Sequence, residues 1–126
     1  MDANVLFSAA YRPGAGLLRL WKLSKTHLLT STYALNEARV NLEAPDQRKR
    51  LDEIMKDVEL VSEHIGLALP KGISIREKDR PILLAAIQAK ATHLLTGDIR
   101  DFGAFFGHKV GGVLVLPPGD YLKKRG

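Results

Sequence analysis

The sequence predicts one α/β domain built around a mainly parallel sheet. Three observations carry that expectation. Short apolar runs alternate with helical patterns along the chain, the runs are too densely apolar for one-sided amphipathic strands, and Gly and Pro gather at turns such as YRPGAG and LPPGD. A strand buried on both faces reads as a continuous apolar run. Alternation of such runs with helices is what a helix-covered parallel sheet requires.

Taken in order, MDANVLFSAA reads as the last residue of a strand, an acid and a helix start. The strand-like runs are HLLTS (27–31), VELV (58–61), HLLT (93–96) and VLVL (113–116). Helical patterns fall at about residues 15–24, 33–43, 46–57, 62–69 and 80–91. The GAG at 14–16 has Arg19 where a third glycine of a dinucleotide loop would stand, so it reads as a helix-start turn. In STYALNEARVNL the apolar stripe runs through Ala34, Leu35, Ala38 and Leu42, with Glu37 at its flank. QRKR at 47–50 lies on the next helix as a solvent-facing charge run. In KDRPILLAAIQAK, Asp79, Ile82, Leu83, Ala86 and Ile87 share one helix face, so an acid begins the core-facing stripe.

Composition limits the function classes. The 126 residues fit a single domain, 1–126, large enough for a continuous core. There is no cysteine, which excludes disulfides and thiolate metal sites and agrees with a reducing cytoplasm. No apolar stretch approaches membrane-spanning length and no basic segment precedes an apolar run at the N-terminus, so the expectation is a cytoplasmic protein with no membrane partner. A net charge of +5 suits a polyanionic partner such as nucleic acid, although charge alone is weak evidence.

The acids give the sharper signal. In open α/β sheets, sites collect beyond the carboxyl ends of the strands. Asp98 and Asp101 in LLTGDIRDF stand just past such an end, as does Asp2, while Asp79 and Glu37 can lean over the same edge. Each also has an ordinary reading. Asp79 before Arg80 and Pro81 fits a helix N-cap, Asp98 or Asp101 could cap a short helix, Glu37 fits a helix flank, and Asp2 fits a solvated terminus. Their convergence on one predicted edge favours a shared role, because clustered carboxylates repel and need a proton or a cation. Hard oxygen donors without cysteine or organised histidine favour Mg²⁺ or Mn²⁺, which suit phosphodiester cleavage. His27, His64, His93 and His108 have no metal-ligand spacing.

The order of these residues resembles the PIN-domain nucleases, many of which are VapC-type toxins. DANVLFSA at 2–9 is similar to the opening D-x-N-x-L-x-S pattern, Glu37 to the acid of the second helix region, and KDRPILLAAIQAKATHLLTGDIRDF to the third and fourth motifs. The resemblance spans nearly the whole chain. It implies a three-layer α/β/α fold and a metal site of Asp2, Glu37, Asp79 and Asp98, with Asp101 beside it. Asn4 and Thr96 would orient carboxylates or contact phosphate. It also implies Mg²⁺ or Mn²⁺ dependence, RNA hydrolysis, a homodimer and, for a toxin, an antitoxin partner. Arg12, Lys78, Arg80 and Arg100 adjoin the motifs as candidate RNA phosphate contacts.

Two other classes compete. A PIN-like module that binds RNA or protein without cutting would share the fold but not need the full acid set. A receiver-like phosphoacceptor domain would need an aspartate after the third strand and a lysine after the last, and the residues after VELV and VLVL do not supply them. One departure stands out. PIN-like chains open with several apolar residues ahead of the first acid, whereas only Met1 precedes Asp2. The expectation is a truncated first strand, a natural start upstream of Met1, and a free amine beside the acids that competes with a cation.

Overall fold

The computed structural model describes residues 1–62 and 69–125. The helix expected over 62–69 lies outside the described residues except for its two ends, which are not helical, and His64 lies outside them too. Helix α1 (Ala3–Tyr11) starts directly after Asp2, whose extended backbone and side-chain acceptor cap it. A 3₁₀ helix at Gly16–Lys22 then replaces the α-helix expected over 15–24. The reason is its period: Leu17, Leu20 and Leu23 recur every third residue, matching the 3₁₀ repeat, and all pack into one cluster with Val5, Leu95 and Leu116.

Strand β1 (Leu28–Ser31) runs straight into α2 (Thr32–Asn41), because Ser31 ends the strand and caps the helix through a 3.0 Å bond from the Ala34 N–H. Helix α3 (Pro45–Met55) opens on a proline, and the Gln47 side chain accepts from the Ala44 N–H. It is followed by β2 (Val58–Val61). A 3₁₀ turn at Glu77–Asp79 leads into α4 (Arg80–Gln88), then β3 (His93–Leu95) and the short α5 (Ile99–Phe102). The chain finishes with β4 (Lys109–Val110), β5 (Val113–Leu116) and α6 (Pro118–Arg125). That last helix corrects the reading of LPPGD as a turn, since Pro118 occupies the first helical position, where its missing N–H costs nothing.

Parallel pairing is present, and among the described residues the strands fall into two sheets rather than one. β1 pairs with β2 in parallel, and separately β3 pairs in parallel with β5, to which β4 adds an antiparallel edge. Between the two sheets stands Met1. Its amine donates to the Leu29 carbonyl at 2.7 Å, and the adjoining Asp2 N–H donates to Leu95 at 3.0 Å. One residue bridges both edges and cannot build a ladder. The amine thus bonds into the sheet edge while its charge still lies beside Asp2, whose carboxyl it pulls down.

The core joins Leu6 and Ala10 of α1 to Leu35 of α2, Leu83 of α4, and Leu94 and Val115 of the three-stranded sheet. Phe102 is fully buried in the same cluster. Burying such a ring is worth about 2 to 3 kcal/mol, more than four residues of isolated helix could supply, so Phe102 anchors α5 and the acids beside it.

Candidate metal centre

The site lies where α1, α4 and α5 begin, beyond the ends of β1 and β3. Asp2 is only 4% exposed, and its two oxygens are both engaged: Oδ1 accepts from the Ala3 N–H and Oδ2 from the Thr96 hydroxyl, each at 2.6 Å. The fully buried Thr96 hydroxyl also accepts from the Asp98 N–H at 3.1 Å, tying the first and last acids through one side chain. Asn4, on the first turn of α1, accepts from the Gly97 N–H at 3.1 Å and pins the loop after β3 to that helix. Asp98 caps α5 by accepting from the Asp101 N–H.

Asp79 behaves differently from an ordinary cap. It occupies the N-cap position of α4, yet its side chain makes no capping bond, and its Oδ2 is buried with no hydrogen-bond partner among the described residues. Oxygens of Asp79, Asp98 and Asp101 lie within 4.8 Å of one another. Glu37, half-buried on α2, stands outside that trio, but its carboxyl is pushed up by burial and by the charges of Asp2 and Asp98. Asp2 is likewise pushed up by burial, against the pull of the Thr96 hydrogen bond.

Burial raises the Asp79 carboxyl to about 7, and its hydrogen bond to Asp101 adds to the shift. Asp101 moves the other way, held below the usual carboxylate range first by that hydrogen bond and then by cations. Those cations are Arg76, whose Nε is 3.1 Å from Oδ1, and Lys78, whose Nζ is 3.7 Å from Oδ2. A carboxyl raised at Asp79 beside one lowered at Asp101, with two cations at the rim, is how the cluster limits its own repulsion.

Five acids therefore converge on one edge, whereas the basic residues scatter. Lys78 sits among the acids, and Arg80 adjoins Asp79 at the start of α4. Arg100 is exposed on α5. Arg12 lies at the far end of α1, roughly 15 Å along the helix from Asp2, where it lines a separate groove with Phe7, Tyr11 and Arg19. Sequence reasoning missed two groups. Arg76 is three residues before Asp79, the repeat of the 3₁₀ turn between them, and Tyr33 is four before Glu37 on α2. Burial and the Glu37 and Asp79 charges push the Tyr33 hydroxyl up.

The donor set fits a hard divalent cation: several carboxylate oxygens, no sulfur, and an unbonded buried oxygen at Asp79 that a cation would satisfy. The fold and this edge together define an α/β domain with a carboxylate site of the type that holds such ions. A family model for the PIN domain matches residues 1–100, and the chain belongs to that family. Neither the curated proteins nor the solved structures gave a match. PIN domains are generally metal-dependent nucleases, and Asp79, Asp98 and Asp101 form the candidate metal site here. Among the described residues no helix is long and apolar enough to cross a membrane.

Proposed function

We propose that this protein is an Mg²⁺- or Mn²⁺-dependent endoribonuclease whose site comprises Asp2, Glu37, Asp79, Asp98 and Asp101. The observation that carries the reading is the trio of Asp79, Asp98 and Asp101, whose carboxylate oxygens lie within 4.8 Å of one another, at an Asp79 that keeps its buried Oδ2 unbonded. Asp79, Asp98 and Asp101 would hold the ion, with Asp2 and Glu37 adding negative charge. Bound there, Mg²⁺ or Mn²⁺ supplies a lowered water pKa and charge stabilisation at the phosphoryl group. Thr96 keeps Asp2 and the Asp98 backbone in fixed relation, and Asn4 holds the loop that carries Asp98. Arg76 and Lys78 are positioned to pass from Asp101 to an RNA phosphate once the acid turns to a cation.

The test is cleavage of single-stranded RNA with Mn²⁺, with Ca²⁺ and with EDTA, for the native chain and for Asp79→Asn. Cutting only by the native chain, and only with Mn²⁺ or Mg²⁺, supports the proposal. Equal cutting in EDTA or by the variant contradicts it, and binding without cutting under every condition favours a non-catalytic PIN module. The toxin role, the antitoxin and the homodimer belong to this proposal on resemblance alone. A small antitoxin-like gene beside the reading frame would support them, and a lone frame would count against them.

A further inference from the structure

Helix α1 has a buried face and an open one. Val5, Leu6, Ala9 and Ala10 are buried, whereas Asn4, Phe7, Ser8 and Tyr11, at i, i+3, i+4 and i+7, form a stripe that reaches solvent. The stripe begins at Asn4, which holds the loop carrying Asp98. It ends at a groove of about 440 Å³ between the end of α1, the 3₁₀ helix at Gly16–Lys22 and Leu122 of α6. One helix face thus leads from the carboxylates to the groove, over roughly 15 Å.

The groove joins two chemistries. Phe7, Leu17 and Leu122 give it an apolar lining, and Tyr11, 53% exposed, adds a second ring 5.3 Å from that of Phe7. An exposed ring offers a face on which an unpaired base can stack. Arg12 and Arg19 line the same groove, both exposed, and neither has an ion-pair or hydrogen-bond partner among the described residues. No acid among the described residues lines it. These two charges are not spent on structure. The carbonyls that end α1, those of Ala10 and Tyr11, each accept from Arg50 at 3.0 Å, and Tyr11 also accepts from Gln47, so Arg12 has no capping duty. An acidic peptide would match the arginines without needing an exposed ring, and an apolar peptide would leave the arginines unused. A nucleotide carries a flat π face and an anion in one unit, and a strand repeats that pair along its length.

We propose that this groove is a second RNA site, which stacks an unpaired base on Tyr11 and holds the neighbouring phosphates with Arg12 and Arg19, while the same single strand runs along α1 to the carboxylate edge. The proposal rests on RNA as the ligand of the proposed function, and not on its being cut.

The experiment follows the anisotropy of a fluorescent, unstructured RNA of about 12 nucleotides in EDTA, where metal-dependent cutting is silent. The native chain should bind it. Tyr11→Ala should weaken binding about tenfold and Tyr11→Phe should not, because the ring rather than the hydroxyl stacks. Combining Arg12→Ala with Arg19→Ala should lower the slope of log affinity against log salt by about 1 to 1.5, the share of two phosphate contacts on a single strand. A further readout needs no variant: thiouridine placed in the same RNA should photocross-link to Phe7 or Tyr11 of the native chain. Failure to bind RNA, full affinity in Tyr11→Ala, or cross-links confined to other segments would each overturn the proposal. So would an effect of the arginine pair alone, which is attraction of charge without a site. Binding of acetyl-Glu-Leu-Glu-Leu amide that these substitutions abolish while RNA binding persists would overturn it by assigning the groove to a protein partner. Self-association in sedimentation that Tyr11→Ala removes, with RNA binding intact, would assign it to a second copy. A chain that binds RNA here and cuts none with Mn²⁺ upholds this site and sinks only the nuclease reading.

Discussion

Asp79 is the residue on which the site turns, because it stands at a helix N-cap without capping and keeps a buried oxygen unbonded. With its carboxyl raised to about 7, the metal-free native state binds a proton that the unfolded chain has already released. The sign follows directly. Stability of the metal-free protein should fall as pH rises from about 4 to about 7 and level off above, with Asp2 and Glu37, also raised, acting in the same direction. Asp101, shifted down, contributes stability above the ordinary carboxylate range and loses it only in stronger acid. Thermal melts in EDTA at pH 5 and pH 8 should therefore show the higher Tm at pH 5, and Asp79→Asn should flatten the difference while raising Tm at pH 8. A Tm that climbs from pH 5 to pH 8 would refute the assignment. Thr96→Val tests the support of the acids: it keeps the shape but strips a hydroxyl that serves both Asp2 and the Asp98 N–H. Leaving those buried groups unpaired should cost about 1 to 3 kcal/mol in denaturant unfolding, and RNA cleavage should drop roughly 10- to 100-fold.

Elements announced themselves in the sequence where one period dominated. The stripe in STYALNEARVNL became α2, and the run from Arg80 became α4, ending at Gln88 because Lys90 takes a left-handed φ of 56°. The segment after YRPGAG was legible as ordered but not as 3₁₀, since three-residue and 3.6-residue periods diverge little over seven residues. The β4–β5 hairpin carried a signal that was overlooked. Gly111 and Gly112 lie between Val110 and Val113, which pair directly, and both have positive φ, 57° and 85°, as a two-residue hairpin turn demands. At Gly111 a Cβ would also stand 2.8 Å from the Ile87 Cδ1 of α4. Gly111→Ala should thus cost about 1 to 3 kcal/mol of stability through backbone strain and crowding, read by urea unfolding. An unchanged midpoint would mean that the hairpin tolerates another turn. The acids themselves were legible because strand ends and helix starts are short, local patterns. Arg76 was not, because its contact with Asp101 spans 25 positions and depends on how the chain folds back from the 3₁₀ turn to α5.

At the scale of the molecule, alternation of strands and helices identified the α/β class, while the division into two sheets depended on Met1 alone standing between β1 and β3. The sequence did show that only Met1 precedes Asp2, but not that a single residue there leaves the strands in two separate sheets. The charge of the whole chain, +5, makes a separate prediction. If basic groups contact phosphates, RNA affinity measured in Ca²⁺ should fall steeply with salt, roughly in proportion to the number of contacts, and a flat response would argue against polyanion recognition. The central claim, that the Asp79 edge holds a divalent cation, is tested most directly by calorimetric titration of Mn²⁺ near pH 6.5 in two buffers of different ionisation enthalpy. Mn²⁺ should bind the native chain with release of a proton, because the raised Asp79 carboxyl must deprotonate to ligate, and Asp79→Asn should bind much more weakly and release none. Equal Mn²⁺ binding by both proteins, with no proton released by either, would contradict it.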